Sequence, residues 1–122
     1  MQIEQVDFVS VLTQDIARAK QFYGETLGLP IETEGENDME FTLGQVTLDV
    51  FDPASAGQEF APSPAGIAIR VPDVAAARRE LEAKGVQFDG EIVDTGVCHF
   101  AFFEDPDGNK LMLHRRYAPR ER

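Results

Sequence analysis

Cys98 is the only cysteine in the chain. No disulfide can therefore close within it, and nothing ties it to an oxidising compartment. Positive charge is also scarce. The 11 lysines and arginines stand against 22 aspartates and glutamates, for a formal net charge of −11. Nucleic acid and anionic membrane surfaces are held through clustered positive charge, so the balance argues against both as partners. The one basic cluster, Arg115, Arg116, Arg120 and Arg122, is too short to change that. No apolar run is long enough to span a bilayer. The opening MQIEQVDF lacks the basic region and apolar core of a signal peptide. These absences leave a soluble cytoplasmic protein as the expectation. At 122 residues, a single domain with a core of its own is expected.

What is present is a sentence said twice. Residues 14–29 read QDIARAKQFYGETLGL and residues 72–86 read PDVAAARRELEAKGV. Each block opens on an aspartate placed like a helix N-cap, Asp15 or Asp73, and stops at a glycine, Gly28 or Gly85. The two aspartates lie 58 positions apart. A strand-like run precedes each block and others follow it. The chain reads as two βαβββ units, about 1–53 and 66–117, joined by a linker over 54–65.

Local patterns support this reading. Val6, Phe8, Ser10 and Leu12 alternate with Asp7, Val9 and Val11, which predicts a short, largely buried strand. Ile16, Ala19, Phe22, Tyr23 and Leu27 share one face of a predicted helix. Strands over 39–44 and 46–52 meet at Gly44-Gln45, a tight hairpin. The stretch DPASAGQEFAPSPAG (52–66) holds three prolines and two glycines, and a connection of that length is often functional. In the second copy, strands over 97–104 and 109–116 flank Asp105-Pro106-Asp107-Gly108, a strong turn signal.

The segments DIARAKQFYGETLGL, VTLDVF (46–51), GIAIRVPDVAAA (66–77) and FFEDPDGNKLML (102–113) carry a resemblance. The chain resembles the vicinal oxygen chelate superfamily, which includes glyoxalase I, extradiol ring-cleavage dioxygenases and the bleomycin- and fosfomycin-resistance proteins. The resemblance implies an α+β fold. Paired βαβββ modules would curl into a cupped mixed sheet with the helices outside, and chains of this length would form homodimers. In metal-dependent members four strands supply ligands to an ion in the cup. The matching positions here are Phe8, Asp49, Gly66 and Met112. Phenylalanine and glycine offer no donor, and a thioether suits softer ions than a carboxylate does. The expectation is no metal cofactor.

Further candidates follow from strand parity, because side chains two apart share a face. His114 lies on the same side as Met112. The ring-cleaving members carry a cavity-facing tyrosine where this chain has Phe102, which places Phe100 and Cys98 in the cup and turns His99 toward the helices. A bulge in this hairpin would reverse that parity. Asp49 sits among Val46, Thr47, Leu48, Val50 and Phe51, and a carboxylate there needs a rim position or a partner. Arg70 shares the face of Gly66 and Ala68, able to pair with Asp49 or to meet an anionic group. Gly66 and Ala68 leave room in place of a ligand side chain. The expected ligand-binding set is Phe8, Asp49, Phe51, Gly66, Arg70, Phe100, Phe102, Met112 and His114, with Ser10 and Ala68 beside them. Asp49 and His114 are the candidates for acid/base chemistry. A mostly aromatic lining with sparse polar points is the make-up of a small-molecule pocket. The functional expectation is metal-independent binding of a planar or aromatic ligand. The alternative is a lyase, isomerase or dioxygenase with a rearranged site.

Overall fold

The computed structural model describes residues 1–120, so Arg122 lies outside the described residues. The chain divides into two compact units, Met1–Ser63 and Pro64–Arg122, and the break falls inside the predicted linker. In the first unit, β1 (Phe8–Leu12) is followed by α1 (Ile16–Lys20), β2 (Ile31–Glu34), β3 (Asp38–Leu43) and β4 (Val46–Phe51). The second contains β5 (Ile67–Arg70), α2 (Val74–Ala83), β6 (Phe88–Asp94), β7 (Cys98–Glu104) and β8 (Lys110–Arg116). The sheet orders, β1-β4-β3-β2 and β5-β8-β7-β6, are the same topology. β1 runs parallel to β4 and β5 parallel to β8, and the other neighbours are antiparallel.

The duplication holds at the level of register. Ser10 pairs with Asp49, which pairs with Glu40 across β3. Ala68, 58 positions after Ser10, pairs with Met112, which pairs with Phe102. One row therefore reads Ser-Asp-Glu in the first unit and Ala-Met-Phe in the second. The framework repeats and the chemistry does not.

Helix boundaries follow the capping signals. The Asp15 carboxylate accepts the Arg18 N–H at 3.0 Å, and that of Asp73 accepts the Ala76 N–H at 3.0 Å. Each satisfies an N–H that the first helical turn leaves without a partner. Gly28 and Gly85 take φ of 75° and 94°, the left-handed conformation in which an L side chain is strained.

Two expectations are corrected here. The first helix is not α-helical to its end, because Gln21–Thr26 form a π-helical turn in which the Leu27 N–H bonds to the Phe22 carbonyl at 2.8 Å. The wider turn lets adjacent residues Phe22 and Tyr23 both reach the core, at 9% and 0% exposure. Their rings meet edge to face at 5.2 Å, and Phe41 lies 5.7 Å from Tyr23. Second, β1 is not largely buried. Val11 is covered, but Phe8 is 57% exposed and Val6, ahead of the strand, 58%. β1 ends the sheet and has a neighbour on only one side.

The Gly44-Gln45 hairpin forms as expected, with Leu43 opposite Val46 and Gly44 at φ 65°. The linker opens on a 3₁₀ turn, Pro53–Ala56, capped by the Asp52 carboxylate through the Ala54 N–H at 3.0 Å. Together with Thr13, Gln14, Gln58 and Phe60, this turn borders a surface cleft of about 370 Å³.

Candidate functional site

Each sheet has one apolar face and one mixed face. In the first unit Val11, Leu48, Val50, Met39 and Phe41 are buried together with Ala19, Phe22 and Tyr23. The opposite face carries Ser10, Asp49, Glu40, Phe51 and Asp38 in paired rows. Of the expected residues, Phe8, Asp49 and Phe51 all fall here. Phe8 pairs with Thr47, and it is Ser10 that sits across from Asp49. The Ser10 hydroxyl donates to Asp49 Oδ2 at 3.0 Å. Asp49 thus takes its hydrogen bond from within its own unit.

This face is acidic, and sequence reading missed its extent. Asp38 and Glu40 flank Asp49. Glu32 accepts hydrogen bonds from Thr42 and Thr47, both at 3.0 Å. The alternation of Asp38, Glu40 and Thr42 with Met39, Phe41 and Leu43 was the available signal. Partial burial pushes the Asp49 carboxyl above its ordinary value of 3.8, the Ser10 hydrogen bond partly opposes this, and the charges of Asp38 and Glu40 add to the rise.

The sign of the stability effect follows from linkage. A carboxyl raised in the folded state carries no penalty below 3.8, where both states hold the proton. As pH rises past that value the unfolded chain ionises first, and stability is lost until the folded group has ionised too. D49N should therefore be more stable than the parent at pH 7, by about a few tenths of a kcal/mol for a carboxylate that is only partly desolvated and lies beside like charges. The gap should close as the pH falls below the ordinary carboxyl range. Thermal melts of both proteins across pH check this, and a gap that is constant with pH would refute it.

In the second unit the expected residues gather more closely. Phe100 and Phe102 stack with ring centroids 6.0 Å apart and planes 6° from parallel. The His114 imidazole lies 4.7 Å from the Phe100 ring. Across the sheet the rows read Ala68–Met112–Phe102 and Arg70–His114–Phe100. The pairing of β7 with β8 is unbroken from Cys98–Arg116 to Glu104–Lys110, so no bulge reverses the parity. The register shift lies instead between β6 and β7, at Asp89–Val93.

Gly66 is corrected. Its φ is +74°, and a Cβ there would stand 2.9 Å from the Met112 Cε. The Met112 methyl occupies the room that the missing side chain was expected to leave. A side chain at position 66 would face backbone strain from the positive φ, while the Met112 methyl, at the end of a flexible chain, could shift aside.

His99 does turn away from Phe100, but it is no core histidine. Its side chain is 40% exposed, with Nε2 3.3 Å from Asp94 Oδ2 and its ring 4.7 Å from that of Tyr117. The Tyr117 hydroxyl donates to Asp94 Oδ1 at 2.8 Å. Bonding from the Gly96 N–H and from Tyr117 holds the Asp94 carboxyl below its ordinary value. This group clasps the chain end to the β6–β7 turn. Cys98 is buried, and Arg116 Nη1 lies 3.9 Å from its sulfur. Arg116, dismissed as part of a short basic tail, belongs to this face by parity with His114.

The four positions implied for a metal centre, Phe8, Asp49, Gly66 and Met112, hold one hard donor and one soft one, which does not fit a divalent cation. Among the described residues no group of three or more His, Cys, Asp or Glu side chains is placed to hold an ion. Asp49 and His114, the acid/base candidates, belong to different units and make their contacts within them. No described helix is long and apolar enough to cross a membrane.

Comparison with known proteins agrees with this framework. The family model of the Glyoxalase/Bleomycin resistance protein/Dioxygenase superfamily matches residues 5–113. The uncharacterized protein YaeR of Escherichia coli is 28% identical, over 93% of this chain and 98% of its own length. TnmS3, an antibiotic binding protein from a Streptomyces species, superposes with a TM-score of 0.78 at 29% identity, covering 95% of this chain and 98% of TnmS3. Lactoylglutathione lyase from Agrobacterium tumefaciens shares the fold, with a TM-score of 0.80 at 17% identity over 93% of this chain and 94% of that one.

Proposed function

We propose that this chain, which belongs to the Glyoxalase/Bleomycin resistance protein/Dioxygenase superfamily, is a metal-independent small-molecule-binding protein that takes a planar or aromatic ligand on the second sheet. The observation that carries this is the stacked pair Phe100 and Phe102, half-buried, with His114 against one ring. Apolar ring surface left in water costs about 25 cal/mol per Å², and a planar ligand recovers it by covering the rings. The likeness to an antibiotic binding protein at 29% identity supports binding as the role. The mismatched donor set supports the absence of a metal. The same reading has the protein act in the cytoplasm as a homodimer.

Titration calorimetry with 2-naphthol and related bicyclic aromatics tests the proposal. Saturable binding is expected, with F100A and F102A each weakening it about tenfold, the scale of one lost stacking contact. Heats of dilution alone across such a panel would refute it. A second reading, acid/base catalysis, draws on Asp49, whose raised carboxyl is a better proton carrier than an ordinary aspartate. Elemental analysis of protein purified without chelator separates this reading's metal-dependent form: stoichiometric zinc, nickel, manganese or iron would favour a metal-dependent enzyme over a binding protein.

A further inference from the structure

We infer that the second sheet selects aromatic ligands bearing an anionic group, with Arg70 as the anion contact; this rests on the aromatic-binding reading above. Arg70 ends β5 and pairs directly with His114, which pairs with Phe100. A cation, an imidazole and a ring face thus follow one another across three adjacent strands, on one side of one sheet.

Acids outnumber bases two to one, 22 to 11, yet among the described residues no acid pairs with Arg70. Lys20 is paired with Glu34, Lys110 with Glu104 and Arg78 with Glu82. Among the described residues the Arg70 side chain has neither ion pair nor hydrogen bond, and it is exposed. His114 touches the Phe100 ring, but its nitrogens have no hydrogen-bond partner there. Two donor groups without a protein partner therefore stand on the face of a stacked ring pair. No acid lies in the row Arg70–His114–Phe100 or in its continuation to Val93 on β6. The acid nearest the rings by register is Asp89, opposite Phe102 one row away.

A guanidinium offers paired donors in a plane that matches a carboxylate. An imidazole N–H adds a third donor. A ring lying on Phe100 and Phe102 would carry its substituent toward the Arg70 end of the row. The ligand class is thus an aromatic acid, with charge at one edge and an otherwise apolar body.

The test compares 2-naphthoate with the neutral 2-naphthamide and the cationic 2-naphthylmethylammonium, by calorimetry on the full chain at one pH and salt concentration. The carboxylate is expected to bind at least tenfold more tightly than the amide, and the cation least well. R70Q should bring carboxylate and amide to equal affinity, R70K should restore part of the difference, and F100A should weaken both. Because the Arg70 side chain is exposed and makes no ion pair or hydrogen bond in the fold, R70Q should keep the parent circular dichroism spectrum and Tm. If all three compounds bind alike, or R70Q leaves the preference unchanged, the anion contact is overturned and aromatic binding stands. If none binds, both readings fall together.

Discussion

D105A should lose about 3–5 kcal/mol of stability, the largest effect expected of any single polar substitution in this protein. Asp105 opens the DPDGN turn and is only 5% exposed. Its Oδ1 accepts the N–H groups of Asp107 and Asn109, both at 2.9 Å, and its Oδ2 accepts from the Asn109 side-chain amide at 2.7 Å. The main chain closes around it, with Gly108 N–H on the Asp105 carbonyl and Asp105 N–H on that of Asn109, each at 3.0 Å. Asn109 is fully buried. Alanine would leave three donors without their acceptor, two of them on a residue that water does not reach, and each such group costs about 1–3 kcal/mol. These costs share one cluster and will not add in full. A fall in Tm of roughly 10–20 °C is expected. P106A, at an exposed position of the same turn, should cost about 1 kcal/mol or less, through the freedom it adds to the unfolded chain. A D105A protein melting within a few degrees of the parent would show that the turn does not depend on this carboxylate.

The second large effect sets adjacent phenylalanines against each other. Phe103 is 1% exposed and packs on Phe88 with ring centroids 5.0 Å apart. Phe102, one residue earlier, points to the other face and stacks on Phe100. F103A should cost about 3–5 kcal/mol, because it leaves a ring-sized cavity in the core. F102A should cost well under half of that, since the ring is half-solvated and its neighbours can relax. Its effect should appear in ligand affinity instead. Chemical denaturation of both variants, with calorimetry on F102A, checks the contrast. Equal losses of stability would mean that both rings are core, and the aromatic-binding reading would lose its footing. The contrast also tests register, because a slip of one residue would exchange the two faces.

Much of this was legible in the chain. Asp15 and Asp73 were recognisable as caps because a short carboxylate before an amphipathic run has one favourable use, accepting the free N–H groups of the first turn. Gly28, Gly85 and Gly44 marked three of the eight glycines with positive φ. Period-two alternation, anchored by the resemblance at Phe102 and Met112, put Phe100, Phe102, Met112 and His114 on one face and His99 on the other, as the register has them. The π-helical turn was not legible, because Phe22 and Tyr23 satisfy an α-helical face nearly as well, and the choice between them is made by what Tyr23 and Phe41 pack against. Gly66 was misjudged for a similar reason. An absent side chain reads as space, but a flexible thioether from the adjacent strand fills it.

By itself the sequence determined the duplicated framework, its caps and turns, and the alternation of faces. All of these depend on residue type and spacing along the chain, which local sterics and hydrogen bonding translate directly into structure. Only the tertiary structure decided which residues face one another across strands. It set Ser10 beside Asp49 and, in the equivalent row, Ala68 beside Met112; it left Arg70 without an acid next to His114; and it stacked Phe100 on Phe102. Those neighbours are set by register between segments up to some forty residues apart, and register is chosen by the packing of the whole sheet rather than by any one strand.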